Sequence, residues 1–87
     1  MINFTKHAMQ RMRQRGIVKE MVEFVIKHGR DKGDKIILGV KDIKQMLQNK
    51  SYEQFKPLLL KILDKKGLVV VLPDDAVVTV YQITKHF

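Results

Sequence analysis

"GLVVVLPDDAVVTVYQI", residues 67–83, decides the fold. Leu68–Leu72 is apolar throughout and rich in β-branched residues, and a second, mostly apolar and branched run, Val77–Ile83, comes after Pro73-Asp74-Asp75. Branched side chains suit a pleated backbone, and proline with aspartate suits a turn. The pattern therefore predicts strands at 68–72 and 77–83, paired as an antiparallel hairpin in the centre of the sheet. A run without a polar residue predicts that 68–72 is central in its sheet and covered on both faces. Alternation puts Thr79 and Tyr81 on one face of the last strand, and Val78, Val80 and Gln82 on the other.

Upstream, "KIILG" (35–39) is short, branched and apolar and predicts a further strand, with "RDKGDK" (30–35) as the turn before it. The rest has helical spacing. Thr5 can cap a helix over 6–15 and Gly16 can end it in the left-handed conformation, with Ile17 packing back. Ala8, Met9 and Met12 form its apolar stripe. A second helix, 18–28, turns Met21, Val22, Val25 and Ile26 inward, keeps Phe24 nearby and stops at Gly29. Val40, Ile43, Met46 and Leu47 predict a helix over 40–49. Residues 51–67 read either as one helix capped by Ser51 or as a loop followed by a helix from Pro57, with Gly67 as the stop. The sum is one α+β domain, 1–87, with N-terminal helices packed on a small, mostly antiparallel sheet.

Composition narrows the function. The chain has 87 residues, a net charge of +8 and no cysteine. Disulfides, thiolate nucleophiles and cysteine-ligated zinc are excluded. The opening residues hold no apolar run of signal-peptide length and no segment approaches a membrane span, so a soluble, cytoplasmic protein is expected, with no membrane partner. Residues 1–35 carry nine basic and four acidic side chains, 36–66 seven and three, and 67–87 one and two. The helical part is the basic part. A basic face favours a polyanionic partner, because each neutralised phosphate releases counterions. A plain lysine-rich surface is the alternative. A chain this short buries only about 60–65 % of its unfolded surface, so a partner would add stability.

The chemistry concentrates in "FTKHAMQRMRQRGI" (4–17), which holds three of the four arginines and no acid. His7, Arg11 and Arg15 recur every four residues and share a helix face beside Ala8 and Met12. An imidazole can take a proton near neutral pH, and guanidiniums stay charged and can brace a phosphate in its transition state. RNA supplies its own nucleophile, the 2′-hydroxyl. A ribonuclease built this way needs a base, an acid and charge stabilisers, but no metal. Tyr81, Lys85 or His86 would supply the second proton-transfer group. The candidate catalytic set is His7, Arg11, Arg15, Tyr81 and His86; Lys6, Arg13, Lys19 and Lys85 would hold the RNA backbone. His7, His28 and His86 lack the spacing of metal ligands on one helix or hairpin, and no glycine-rich phosphate loop is present, so neither metal nor cofactor is expected. His28, before a helix-ending glycine, suits the negative end of a helix dipole. Asp31, Asp34, Asp74 and Asp75 fall in turns, where aspartate serves conformation.

His7-Ala8-Met9-Gln10-Arg11-Met12-Arg13-Gln14-Arg15-Gly16-Ile17 resembles the H-A-x-x-R-x-x-x-R-G-I opening of a family of small bacterial and phage proteins catalogued as a domain of unknown function. Residues 68–81 resemble that family's closing hairpin. Val18 stands where many relatives have the serine or threonine that caps the next helix, and 84–87 match no motif. The family is similar to RelE- and BrnT-type toxins, small basic ribonucleases held by an antitoxin, with helices followed by an antiparallel sheet. The resemblance implies a RelE/BrnT-like fold, a toxin-like, metal-independent ribonuclease acting on RNA, and an acidic antitoxin as partner. The alternative is a non-catalytic protein that uses the same helix to hold nucleic acid or an acidic protein. Self-association into a homodimer is a further expectation.

Overall fold

The computed structural model describes residues 2–83. The short β1 (Asn3–Phe4) leads into α1 (Lys6–Arg15). The Thr5 hydroxyl accepts the Ala8 N–H at 3.1 Å, closing the first turn as the sequence predicts. Gly16 ends the helix at φ 66°, ψ 35°, and the Ile17 N–H returns to the Met12 carbonyl at 2.8 Å. Ala8, Met12 and Ile17 are buried; Met9 is 37 % exposed, so the apolar stripe is narrower than expected. Helix α2 (Lys19–His28) starts at Val18, which gives no side-chain cap, and buries Met21, Val22, Phe24 and Val25.

Residues 30–35 are more than a turn. Arg30–Asp31 forms β2, antiparallel to β3 (Lys35–Gly39), and Asp31 Oδ1 accepts the Gly33 N–H at 2.9 Å in the connection. Helix α3 is Val40–Leu47. The ambiguous 51–67 stretch resolves into a 3₁₀ helix, Lys50–Phe55, and α4, Lys56–Asp64, with Pro57 in the first turn of α4. Proline needs no N–H partner there. Asn49 caps the 3₁₀ segment through the Ser51 N–H; Ser51 is not the cap.

Strand β4 is Gly67–Val71. The second apolar run divides into β5 (Ala76–Val77) and β6 (Thr79–Gln82). Strand β5 pairs in parallel with β1, and the Thr5 N–H and hydroxyl donate to the Val77 and Val78 carbonyls at 3.0 and 3.3 Å. The Val78 N–H reaches the Val71 carbonyl, while Thr79 is the ladder partner of Val71. Two residues thus oppose one, as in a β-bulge, and the strand is interrupted.

The main sheet runs β2-β3-β4-β6, antiparallel throughout. Strand β4 is central as expected, whereas β6 lies at the edge rather than in the centre. Helices α1 to α4 meet one face of the sheet. Ala8, Met12, Val22, Val25, Ile43 and Leu59 join Leu38, Leu68, Val70 and Val80 in a single core. Alternation sends Ile37, Val69, Val71 and Tyr81 to the opposite face. Val69 is buried yet stands outside that core. Strand β4 is therefore covered by helices on one face only, not both.

Candidate functional site

Helix α1 packs along β6, tethered at its N-terminus by the two Thr5 hydrogen bonds. Burial of Ala8 and Met12 fixes the rotation of α1. Arg11 and Arg15, one turn apart, then flank the outer edge of the sheet. They line a shallow cleft of about 330 Å³ with Thr79, Val80, Tyr81 and Gln82. The Ile83 N–H donates to the Gly67 carbonyl at 3.1 Å, which sets the phase of the β4–β6 ladder. In that phase Tyr81 and Val69 exchange hydrogen bonds, and the peptide groups of Val80 and Gln82 turn outward. The cleft is thus bordered by Arg11, Arg15 and Tyr81 and by the main-chain edge groups of β6.

The structure brings Arg11, Arg15 and Tyr81 together from opposite ends of the chain. His7 is exposed one turn before Arg11 and is not part of the cleft lining. Lys6 and Arg13 are exposed elsewhere on α1. The Lys19 ammonium lies 5.4 Å from the centre of the Phe4 ring, on the β1 side of the molecule rather than in the cleft. Lys85 and His86 fall outside the described residues.

The charge of α1 is uncompensated. Its first turn has no acid, and the single ion pair among the described residues joins Arg30 to Asp42. Lys65 adds a cation at the C-terminal end of α1: its ammonium lies beside Gly16, 3.2 Å from where a β-carbon on that residue would stand. A cation is favoured there by the carbonyl end of the helix dipole. Half the chain separates Lys65 from α1, so no sequence spacing signals the pairing.

His28 belongs elsewhere. Its ring centre lies 4.5 Å from that of Phe24, 5.4 Å from Tyr52 and 6.0 Å from Phe55. This aromatic cluster borders a groove of about 1350 Å³ between α2 and α4, larger than the arginine cleft and separate from it. The groove carries mixed charge, from Glu20 and Glu23 to Lys27 and Lys61, and its apolar lining marks it as a packing surface rather than a phosphate site. No group of three His, Asp or Glu side chains gathers among the described residues, and none of their helices is long and apolar enough to cross a membrane.

The chain belongs to the DUF4258 family, a domain of unknown function, whose family model matches residues 4–82. No curated protein and no solved structure matches it.

Proposed function

We propose that this DUF4258 domain binds RNA in the α1/β6 cleft and cleaves it without a metal ion, as a toxin-like endoribonuclease that an acidic antitoxin restrains. The observation that carries this reading is the shared cleft of Arg11, Arg15 and Tyr81. The resemblance of the opening motif to relatives of RelE- and BrnT-type toxins adds support.

In the proposed reaction the RNA 2′-oxygen attacks the adjacent phosphorus as a base removes its proton. The P–O5′ bond breaks, and the departing 5′-oxygen takes up a proton. The products are a 2′,3′-cyclic phosphate and a 5′-hydroxyl. Arg11 and Arg15 offset the negative charge that grows on the phosphorane oxygens, which is where fixed donors accelerate most. His7 serves as the base and the Tyr81 phenol as the proton donor. The experiment is cleavage of short RNAs in EDTA by the wild type and by His7→Ala, Arg11→Ala, Arg15→Ala and Tyr81→Phe.

One observation favours a second reading, binding without cleavage: His7 is not among the residues that line the cleft. Affinity that falls steeply with salt, with no product from any RNA, would decide for it.

A further inference from the structure

The sheet face opposite the helices is unpartnered among the described residues, and its side chains form a registered row. Arg30 pairs with Ile37, Ile37 with Val69, and Val69 with Tyr81, so one residue from each of the four strands stands in line. The row spans three interstrand steps of about 4.8 Å, or roughly 14 Å. Its middle is apolar, Tyr81 is 36 % exposed, and Val69 between its neighbours is 6 % exposed. The surface is therefore flat and filled, not a pocket.

Unpaired charge borders this row at one end and an ion-paired arginine at the other. The Arg11/Arg15 cleft adjoins it at the Tyr81 end, and the Arg30 side chain, 66 % exposed, stands at the other. Asp42, the carboxylate at that margin, is held by Arg30. The acids of the turns, Asp34, Asp74 and Asp75, lie beyond the parallel row of Lys35, Val71 and Thr79, where the Leu72 N–H meets the Asp34 carbonyl. Lys35 itself stands in that parallel row, so the end richest in unpaired cations is the arginine cleft beside Tyr81.

We infer that this open face is a track for single-stranded RNA, entered from the arginine cleft, with a base stacked on Tyr81 and the strand continuing over Val69 and Ile37 towards Arg30. The inference rests on RNA binding at the α1/β6 cleft. Stacking on an aromatic ring accepts any base, and a four-stranded sheet can hold roughly two or three of them. A duplex hides its base faces and gains nothing from an apolar row, so the track selects single strands.

The test measures binding of a fluorescent 2′-O-methyl RNA, which lacks the attacking hydroxyl, as a single strand and as its duplex at one salt concentration. The single strand is expected to bind about tenfold more tightly, given the usual worth of base–aromatic stacking. Ile37→Glu, outside the cleft, should weaken single-strand binding about tenfold and leave duplex binding unchanged; Tyr81→Ala should also weaken single-strand binding about tenfold, and Tyr81→Phe, which keeps the ring, should recover most of that loss. Circular dichroism checks that the variants fold. Equal affinity for the two forms, or no effect of either Ile37→Glu or Tyr81→Ala, would overturn the track. If Arg11→Ala still abolished binding in that case, RNA recognition at the cleft would stand alone. Failure of the wild type to bind either form would overturn both readings, and binding of a polyglutamate peptide that Ile37→Glu abolishes would make the face a protein surface instead.

Discussion

Arg30 and Asp42 form a two-point ion pair between β2 and α3, with Nε to Oδ2 at 2.9 Å and Nη2 to Oδ1 at 2.8 Å. The parallel geometry matches a guanidinium fork to a carboxylate. It also divides the arginines by role. The one outside α1 is engaged by a carboxylate, and the three on α1 have no ion-pair partner among the described residues.

The pair makes stability depend on acid. The hydrogen bond from Arg30 holds the Asp42 carboxyl below the usual aspartate range, and Asp42 in turn raises Arg30. A carboxyl lowered in the folded state binds fewer protons there than in the unfolded chain. Its stabilisation is thus present above the unfolded value, near pH 4, and is lost as pH falls through the folded value. Asp42→Asn should lower the melting temperature at pH 7, and the gap to wild type should close once pH has fallen through the lowered folded-state value. A gap that persists there would mean the loss is one of packing.

Arg11→Ala and Arg15→Ala should leave the fold intact, because both side chains flank the apolar stripe of Ala8 and Met12. If the cleft cleaves RNA, each should lose about 2–4 kcal/mol of transition-state stabilisation. Arg13→Ala should act mainly through salt-dependent affinity. Cleavage in EDTA by folded variants measures this. Wild-type activity in Arg11→Ala would remove the proposed site.

Thr5 both caps α1 and ties it to the chain where β5 gives way to β6. Thr5→Val keeps the shape, loses both hydroxyl bonds and should cost about 1–2 kcal/mol. RNA affinity should fall as well, because the bearing of Arg11 and Arg15 on Tyr81 depends on how α1 lies. Thr5→Ser should restore both, as read by thermal unfolding and by RNA binding.

Val70 is fully buried in the helix-facing core. Val70→Asp places an unpaired charge there and should cost about 4 kcal/mol or more. Ile37→Glu, on the adjacent strand but the open face, should be far milder. Comparable denaturant midpoints for the two variants would contradict the facing of the sheet.

Gly67 starts β4 at φ 98°, and a β-carbon there would come within 2.5 Å of the Leu38 carbonyl oxygen. Gly67→Ala should destabilise by at least about 2 kcal/mol, from left-handed strain together with the clash. A melting temperature equal to wild type would show that β3 and β4 can separate at that point.

Local chemistry alone set several elements. A threonine hydroxyl and a glycine free to take positive φ bound α1 at 6–15. Branched apolar runs mark β3 and β4, and Pro57 settles in a first turn because it lacks an N–H. The grouping of basic side chains on one face of α1 was legible for the same reason, since helical spacing is local. Tertiary structure decided the rest. Strand β1 has two residues, too few for any period, and exists because β5 offers a parallel partner. The 77–83 run breaks because Thr5 engages the Val77 and Val78 carbonyls while Val78 and Thr79 share Val71. Met9 faces solvent because Ala8 and Met12 suffice to seat the helix. Of the predicted site, the sequence gathers His7, Arg11 and Arg15 by spacing. Only packing of α1 along the sheet edge joins Tyr81 to the two arginines and leaves His7 outside their cleft. Sequence spacing fixes side-chain direction within a helix or strand; which elements meet depends on where the apolar faces are buried together.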